Sequence, residues 1–458
     1  MSLSSPETWI SLDRRPGETL RHALRRTLCD AIRSGALRPG VRLPASRVLA
    51  AHLGVSRGVV SDAYEQLRSE RFLEVQGRSA PVVAGLRVQG RPGVSDQSRA
   101  RPRYDLAPAV PDAELFPSKQ WLGAYEAAVR GDAAVGWNPP DPCGEPILRI
   151  ELADYLGRTR GVIADPELII ITPSSARGVE LLLAALARRG VRSVAVEDPS
   201  HMERREQIRA AGLRVVPQPV DAEGVVVDGL EADALLVTSA HQFPTGLQLS
   251  EDRRREVVRW AHCTGAWLLE QGSGSELSGG ATPGRALQHQ APGRVVHLGA
   301  TCHTLAPLIS LGWMTVPRSL VRDVHDVLAS AEASGRLEQL ALARLISTGD
   351  YDRHLRRARA VYRRRRDALV TALNDQLLDL GLRFDLVGTD AVIHLPPQAD
   401  DQAIARAATR ARLRVAALST FYASSASPKG LVVGSARLRV PTAAAAVSLL
   451  CRIIAPHL

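Results

Sequence analysis

Residues 43 to 75 read LPASRVLAAHLGVSRGVVSDAYEQLRSERFLEV, and the punctuation of that stretch decides the fold of the N-terminal end. Pro44 stands just ahead of a short helical run from Ser46 to Leu53. Gly54 permits a tight turn, and Ser56 is placed to cap a second helix running to about Ser69. Two short helices across a glycine turn form the helix-turn-helix pattern, whose second helix enters the DNA major groove N-terminus first. Upstream, Leu20, Ala23, Leu24, Leu28, Ala31 and Ile32 recur at helical spacing, and Ser34-Gly35 followed by Pro39-Gly40 stops that helix. Downstream, FLEVQGRSAPVVA alternates like two short strands around Gln76-Gly77-Arg78 and predicts a wing. The expected unit is a winged helix-turn-helix over residues 20–85, after an N-terminal extension of residues 1–19.

The orientation of the second helix puts Ser56, Arg57 and Gly58 nearest the bases. Arg57 is suited to bond guanine bidentately or to clamp a phosphate, Gly58 lets the backbone approach closely, and Arg47 on the first helix reaches the DNA backbone. The charge distribution agrees with a polyanion partner at this end. Residues 20 to 104 carry 16 Arg against six Asp or Glu, a balance of +10, while residues 1 to 19 contribute −1 and residues 105 to 458 only +1. With PGxRLPxSRxLAxxLGVSR and AYEQL almost intact, Leu20 to Ala84 resembles the GntR family of bacterial transcription regulators. That resemblance implies DNA contacts from Arg47, Ser56, Arg57 and the wing residue Gly77, with Arg78 beside it. Where many relatives carry a polar pair after the SR, this chain has Gly58-Val59. A valine contacts a thymine methyl but cannot hydrogen-bond a base edge, so a different target preference is expected.

The chain of 458 residues, 45% hydrophobic, is too long for one ordinary domain and apolar enough to bury large cores. Its five cysteines show neither a CxxC nor a paired His spacing, which argues against a disulfide framework and a structural zinc, and a reducing cytosol is expected. The first residues lack the apolar core of a signal peptide, and no run approaches the roughly 20 apolar residues of a membrane span. Residues 86–104 are rich in Arg, Gly, Pro and Ser without a hydrophobic period and read as a basic flexible tether.

Beyond it, strand-length apolar runs at 168–171, 194–196, 213–216, 235–237, 267–269 and 295–298 alternate with amphipathic stretches such as 177–189 and 250–264. That alternation predicts a mostly parallel α/β sheet. A long basic helix from about Tyr351 to Leu373, with Arg363 to Arg366 on it, leads into a smaller α/β portion over about 350–458.

Several pieces of this body carry a second resemblance: ELFPSKQW from Glu114, LIIITPSSARGVELLLAAL from Leu168, VEDPS from Val196, VTSAHQFPTG from Val237, LLEQGSGSE from Leu268, ATCHTLAPLISLGW from Ala300 and DYDRHLRRARAVYRRRRDAL from Asp350. In this order they resemble the aminotransferase-like domain of the MocR subfamily of GntR regulators. The resemblance implies a fold-type I α/β body with a large and a small subdomain over 105–458, usually dimeric, in which pyridoxal 5'-phosphate (PLP) acts in effector sensing.

The residues that PLP needs are the ones that depart. The Schiff-base lysine is His303, and an imidazole cannot form the imine. The chain has only two lysines, Lys119 and Lys429, and neither lies in a sequence like the anchoring segment. The carboxylate for the pyridine nitrogen is Gln271, the ring-oxygen tyrosine is Ser273, the phosphate arginine is Ser310, and the substrate-carboxylate arginine is Val432. Ser174 and Ser175 keep small polar groups at a helix start, suited to weak anion binding. Each lost charge-assisted contact is worth roughly 1.5 to 3 kcal/mol. A PLP-independent body is therefore expected, with weak noncovalent PLP binding left open. His303, His241, Gln242, Gln271 and Ser273 either line a vestigial pocket for another small molecule or are satisfied polar residues of a collapsed cleft.

The sequence thus points to a dimeric, cytoplasmic transcription regulator that binds double-stranded operator DNA, without catalysis, metal or membrane, and with or without an unidentified effector. Its rivals are a PLP-dependent enzyme or PLP-sensing regulator with an unconventional site, and a constitutive DNA-binding protein with an inert body.

Overall fold

The computed structural model describes residues 12, 14–15, 17–74, 80–84, 102–135, 141–272, 276–277, 284–329, 334–424 and 427–458. The chain divides into two units, residues 1–100 and 101–458.

In the first unit, helix α1 (Leu20–Arg33) is capped by Thr19, α2 (Ser46–Leu53) ends at Gly54, and α3 (Arg57–Ser69) is capped by Ser56. Gly54 takes a left-handed φ of 64°, which an L side chain adopts only with strain. Leu24, Leu28, Leu49, Val60, Ala63 and Leu67 turn inward at helical spacing and form one core. Tyr64 adds a tie of its own, donating from its hydroxyl to the Pro44 carbonyl at 2.9 Å and so fixing the entry to α2. Strands Leu73–Glu74 and Val82–Val83 pair antiparallel as the flanks of the expected wing. Its tip, with Gly77 and Arg78, lies outside the described residues.

The second unit is built on an eight-stranded sheet in the order 169–172, 312–315, 295–300, 267–271, 234–237, 193–198, 214–221, 224–225. All six apolar runs read from the sequence are strands of it, and the pairings from 295–300 through to 214–221 are parallel. Gly312–Thr315 is an additional strand, antiparallel to both neighbours. It was hidden because four residues opening on a glycine give no alternation. That glycine is required by packing: a Cβ at Gly312 would lie 2.7 Å from Thr172 Oγ1 and from the Ser174 backbone. Helices Ser175–Arg188 and Val321–Leu328 cover one face of the sheet, burying Leu182, Leu186 and Val324.

The long helix Asp350–Leu377 runs into a second sheet of 384–387, 390–394, 430–434 and 416–417, the smaller subdomain. Its arginine cluster is not wholly a solvated face: Arg365 pairs with Asp112 at 2.7 Å and also donates to the Ala436 carbonyl. The body also starts earlier than residue 105, because Tyr104–Asp105 pairs parallel with Leu413–Arg414. Only residues 102–104 of the expected tether are described, and the Arg103 and Tyr104 amides bond the Arg412 carbonyl at this pairing. Among the described residues one stretch, Val440–His457, is long and apolar enough to be mistaken for a membrane span. Its Ala446, Val447, Leu450 and Ile454 are fully buried in the small-subdomain core.

Candidate functional site: an exposed helix start and a cavity in the body

The start of α3 exposes the residues that the sequence reading assigned to DNA. Ser56 is extended, and its side chain accepts from the Val59 amide at 3.4 Å, so its cap leaves Arg57 and Gly58 exposed at the first turn. Two arginines of α1 are tied down, Arg25 to Glu70 at 3.2 Å and Arg26 to Glu18 at 3.0 Å. Arg47 and Arg57 are exposed and have no acidic partner among the described residues. Gly58 has no internal reason to be glycine, since an added Cβ would meet only Ser56 Oγ, at 3.8 Å. Val59 is half-buried against the core.

The body encloses a cavity of about 110 Å³ between the large sheet, the segment 109–111 and the small subdomain. Of the positions singled out in the sequence, His241, Gln271 and His303 line it. Gln242 does not. It is buried beside the cavity, where its Nε2 donates to the Pro199 carbonyl at 2.6 Å and its Oε1 accepts from the Thr245 hydroxyl at 2.5 Å, bracing the loop. Ser174 caps the Ser175–Arg188 helix by accepting from the Arg177 amide at 3.0 Å, and Ser175 accepts from Arg204 at 3.3 Å. Val432 is fully buried among Val387, Val392 and Leu418, so an apolar core stands where a cation was expected from the family pattern. Ser310 is half-buried outside the lining, and Ser273 lies outside the described residues. No lysine lines the cavity.

His303, on the turn after strand Val295–Ala300, hydrogen-bonds the backbone of Ala109, and burial lowers its pKa. Burial holds His201 and His241 down to about 4, so both imidazoles are neutral at physiological pH. Sequence reasoning missed two acids in the wall. Burial pushes Glu197 up to about 8 and Asp390 up to about 7. Glu197 sits inside the VEDPS motif, while Asp390 had no local signal. The sequence also gave no sign of Arg204, the cation in the lining, whose pKa is lowered by desolvation. Among the described residues no group of three or more His, Cys, Asp or Glu is placed to hold a metal.

The N-terminal unit matches the model of bacterial regulatory proteins of the gntR family over residues 19–83, and residues 124–271 match aminotransferase class I and II. The chain is 32% identical over 411 residues to the HTH-type pyridoxine biosynthesis transcriptional regulator PdxR of Corynebacterium glutamicum, covering 87% of this chain and 88% of that one. It is 27% identical over 454 residues to the probable rhizopine catabolism regulatory protein MocR of Rhizobium meliloti, covering 93% and 92%. The chain belongs to the MocR subfamily of GntR-family regulators. It is thus a DNA-binding transcription regulator by family. The MocR-type body has the aminotransferase fold: a Pyrococcus horikoshii kynurenine aminotransferase superposes with a TM-score of 0.71 at 20% identity, over 82% of this chain and 96% of the other.

Proposed function

We propose that this MocR-type chain regulates transcription by sequence-specific operator binding through α3, and that its body does not hold PLP covalently but senses another small molecule. The carrying observation is His303 at the anchoring position of a cavity whose lining contains no lysine. The residues present do not suit PLP. An imidazole bonded to Ala109 replaces the amine, Gln271 supplies no charge, and Val432 is packed in apolar surroundings. Mixing the purified chain with PLP is expected to give no internal aldimine band and no borohydride-fixed adduct; a band that borohydride reduction removes would overturn this reading.

Ser56, Arg57 and Gly58 are assigned to base edges, and Arg47 with the wing residues Gly77 and Arg78 to the DNA backbone. Gly58→Ala should stabilise the N-terminal unit by a few tenths to about 1 kcal/mol, because glycine in a helix carries an entropic cost, while operator affinity falls. Unchanged affinity in gel shift would remove Gly58 from the interface.

The body is assigned a dimerising role. Leu122, Ile147, Ile150 and Leu308 leave large apolar side chains exposed, Leu308 at 91%. The wild-type chain should run as a dimer in light scattering, and Leu122→Asp with Ile150→Asp should yield monomer that binds a palindromic operator more weakly. A wild-type monomer would refute the dimer. Action on operator DNA assigns the protein to the bacterial cytoplasm.

A further inference from the structure

The cavity in the body holds a positive charge that no described residue pairs with. Arg204, on helix Met202–Ala210, lines the space half-buried, and desolvation lowers its pKa. Its guanidinium donates to Gln207 Oε1 at 2.8 Å and to Ser175 Oγ at 3.3 Å, both of them neutral groups. Exposed Glu203 acts on it without forming an ion pair, and burial keeps the nearby Cys302 thiol protonated. Ser175 opens the helix Ser175–Arg188, whose start carries partial positive charge. A cation at the positive end of a helix, partly buried and without a counter-ion, is costly, so the position favours an anion.

The other polar groups of the wall leave that charge uncompensated. Glu197 is bonded by Thr238 and Gln242, and Asp390 accepts from the Ala109 amide at 3.0 Å. Burial raises the two acids to about 8 and about 7, so at pH 6.5 both are largely protonated. His303 is committed to the Ala109 backbone, and the Tyr362 hydroxyl accepts from the Asp112 amide at 2.9 Å. His201, stacked on Phe243 with ring centroids 4.3 Å apart, and His241 have no hydrogen-bond partner among the described residues. Burial holds both imidazoles neutral, and each keeps an N–H to donate. Much of the remaining lining is apolar, with Val110, Val196, Leu236, Phe243 and Leu277. One guanidinium in such a wall matches one negative charge carried on hydrocarbon. A phosphate monoester would bring a second charge, with no further cation among the described lining residues to meet it. The volume of about 110 Å³ is below the roughly 150 Å³ that holds a benzene ring, which limits the guest to about four or five carbons.

We propose that the cavity binds a short-chain organic monocarboxylate, its carboxylate paired with the Arg204 guanidinium and its hydrocarbon laid against Leu236, Phe243 and Leu277. This occupancy rests on the reading, proposed above, that the body senses a small molecule other than PLP.

The test is calorimetry and thermal shift on the full-length chain at pH 6.5 with butanoate and pentanoate, against butanol, butylamine and inorganic phosphate. Both acids are expected to bind and to raise the melting temperature of the body, and the three controls to do neither. Arg204→Gln should weaken butanoate binding by about tenfold or more. Its melting temperature without ligand should stay at or above the wild-type value, because an unpaired charge has been removed. Val110→Trp leaves Arg204 in place and fills the space from half-buried Val110. It should abolish butanoate binding, and it decides the case if Arg204→Gln does not fold. The proposal falls if neither acid binds wild type, if either folded variant binds butanoate as well as wild type, or if a control binds as tightly. An aldimine band with PLP would instead sink the reading beneath it, and that failure is seen in visible absorbance with a different ligand.

Discussion

Arg57→Ala is expected to weaken specific operator binding by about 1–3 kcal/mol, roughly a five- to 150-fold loss, and to relax discrimination at one base position. The size follows from geometry. Arg57 occupies the first turn of α3, exposed, immediately after the Ser56 cap and without an acidic partner among the described residues, so no internal ion pair must break before it meets DNA. Arg47→Ala makes the control. Its assigned contact is a phosphate, so it should lower affinity about equally for specific and nonspecific DNA and make the salt dependence shallower. Competition gel shifts at two salt concentrations separate the cases. If Arg57→Ala leaves operator affinity unchanged, α3 is not the reading helix.

Between about pH 6.5 and 8 the Glu197 and Asp390 carboxyls should withdraw about 2–3 kcal/mol of the body's stability, opposite to what an ordinary set of surface ion pairs gives. Burial raises Glu197 from 4.5 to about 8 and Asp390 from 3.8 to about 7, so in this window the folded chain still holds protons that the unfolded chain has released. Stability then declines as pH rises. The depressed carboxylate of Glu270 does not interfere. Glu270, held down to about 2 by the His297 bond and by hydrogen bonds from Ser239 and the Leu287 amide against its own burial, contributes fully above about pH 4.5. The buried histidines offset part of this: at pH 6.5 His201 and His241 are still half protonated in the unfolded chain, so each restores about 0.4 kcal/mol by pH 8. Denaturant midpoints for unfolding of the body at the two pH values measure the slope. The double variant Glu197→Gln, Asp390→Asn should flatten it, and a slope equal to wild type would show that these carboxyls are ionised in the native state.

Much of the fold was legible because its signals are local. Ser56 caps α3, Gly54 breaks α2 at the residue where φ turns positive, and the alternation of apolar runs with amphipathic stretches gives the parallel part of the large sheet. A cap or a turn acts within four residues of itself, so a sequence window contains its cause. The strand Gly312–Thr315 escaped because its place is set by the two strands on either side rather than by a pattern of its own. Similarly, Tyr104–Asp105 looked like the end of a tether and is paired only because Leu413–Arg414 comes alongside it.

The site divides in the same way. The sequence by itself determined that the N-terminal unit is a GntR-type helix-turn-helix, and it is the sole basis for proposing Arg57 as the reading side chain and His303 as the anchoring position, since both depend on residue identity at a motif position. Only the tertiary structure decided what shares a wall. Gln242 turned out to brace a loop beside the cavity, Val432 sits in an apolar core, and Glu197 meets Asp390 and Arg204 around one space. Burial and convergence come from packing the small subdomain against the large one, and side chains far apart in the chain acquire a common environment, and shifted proton affinities, only when that packing removes their water.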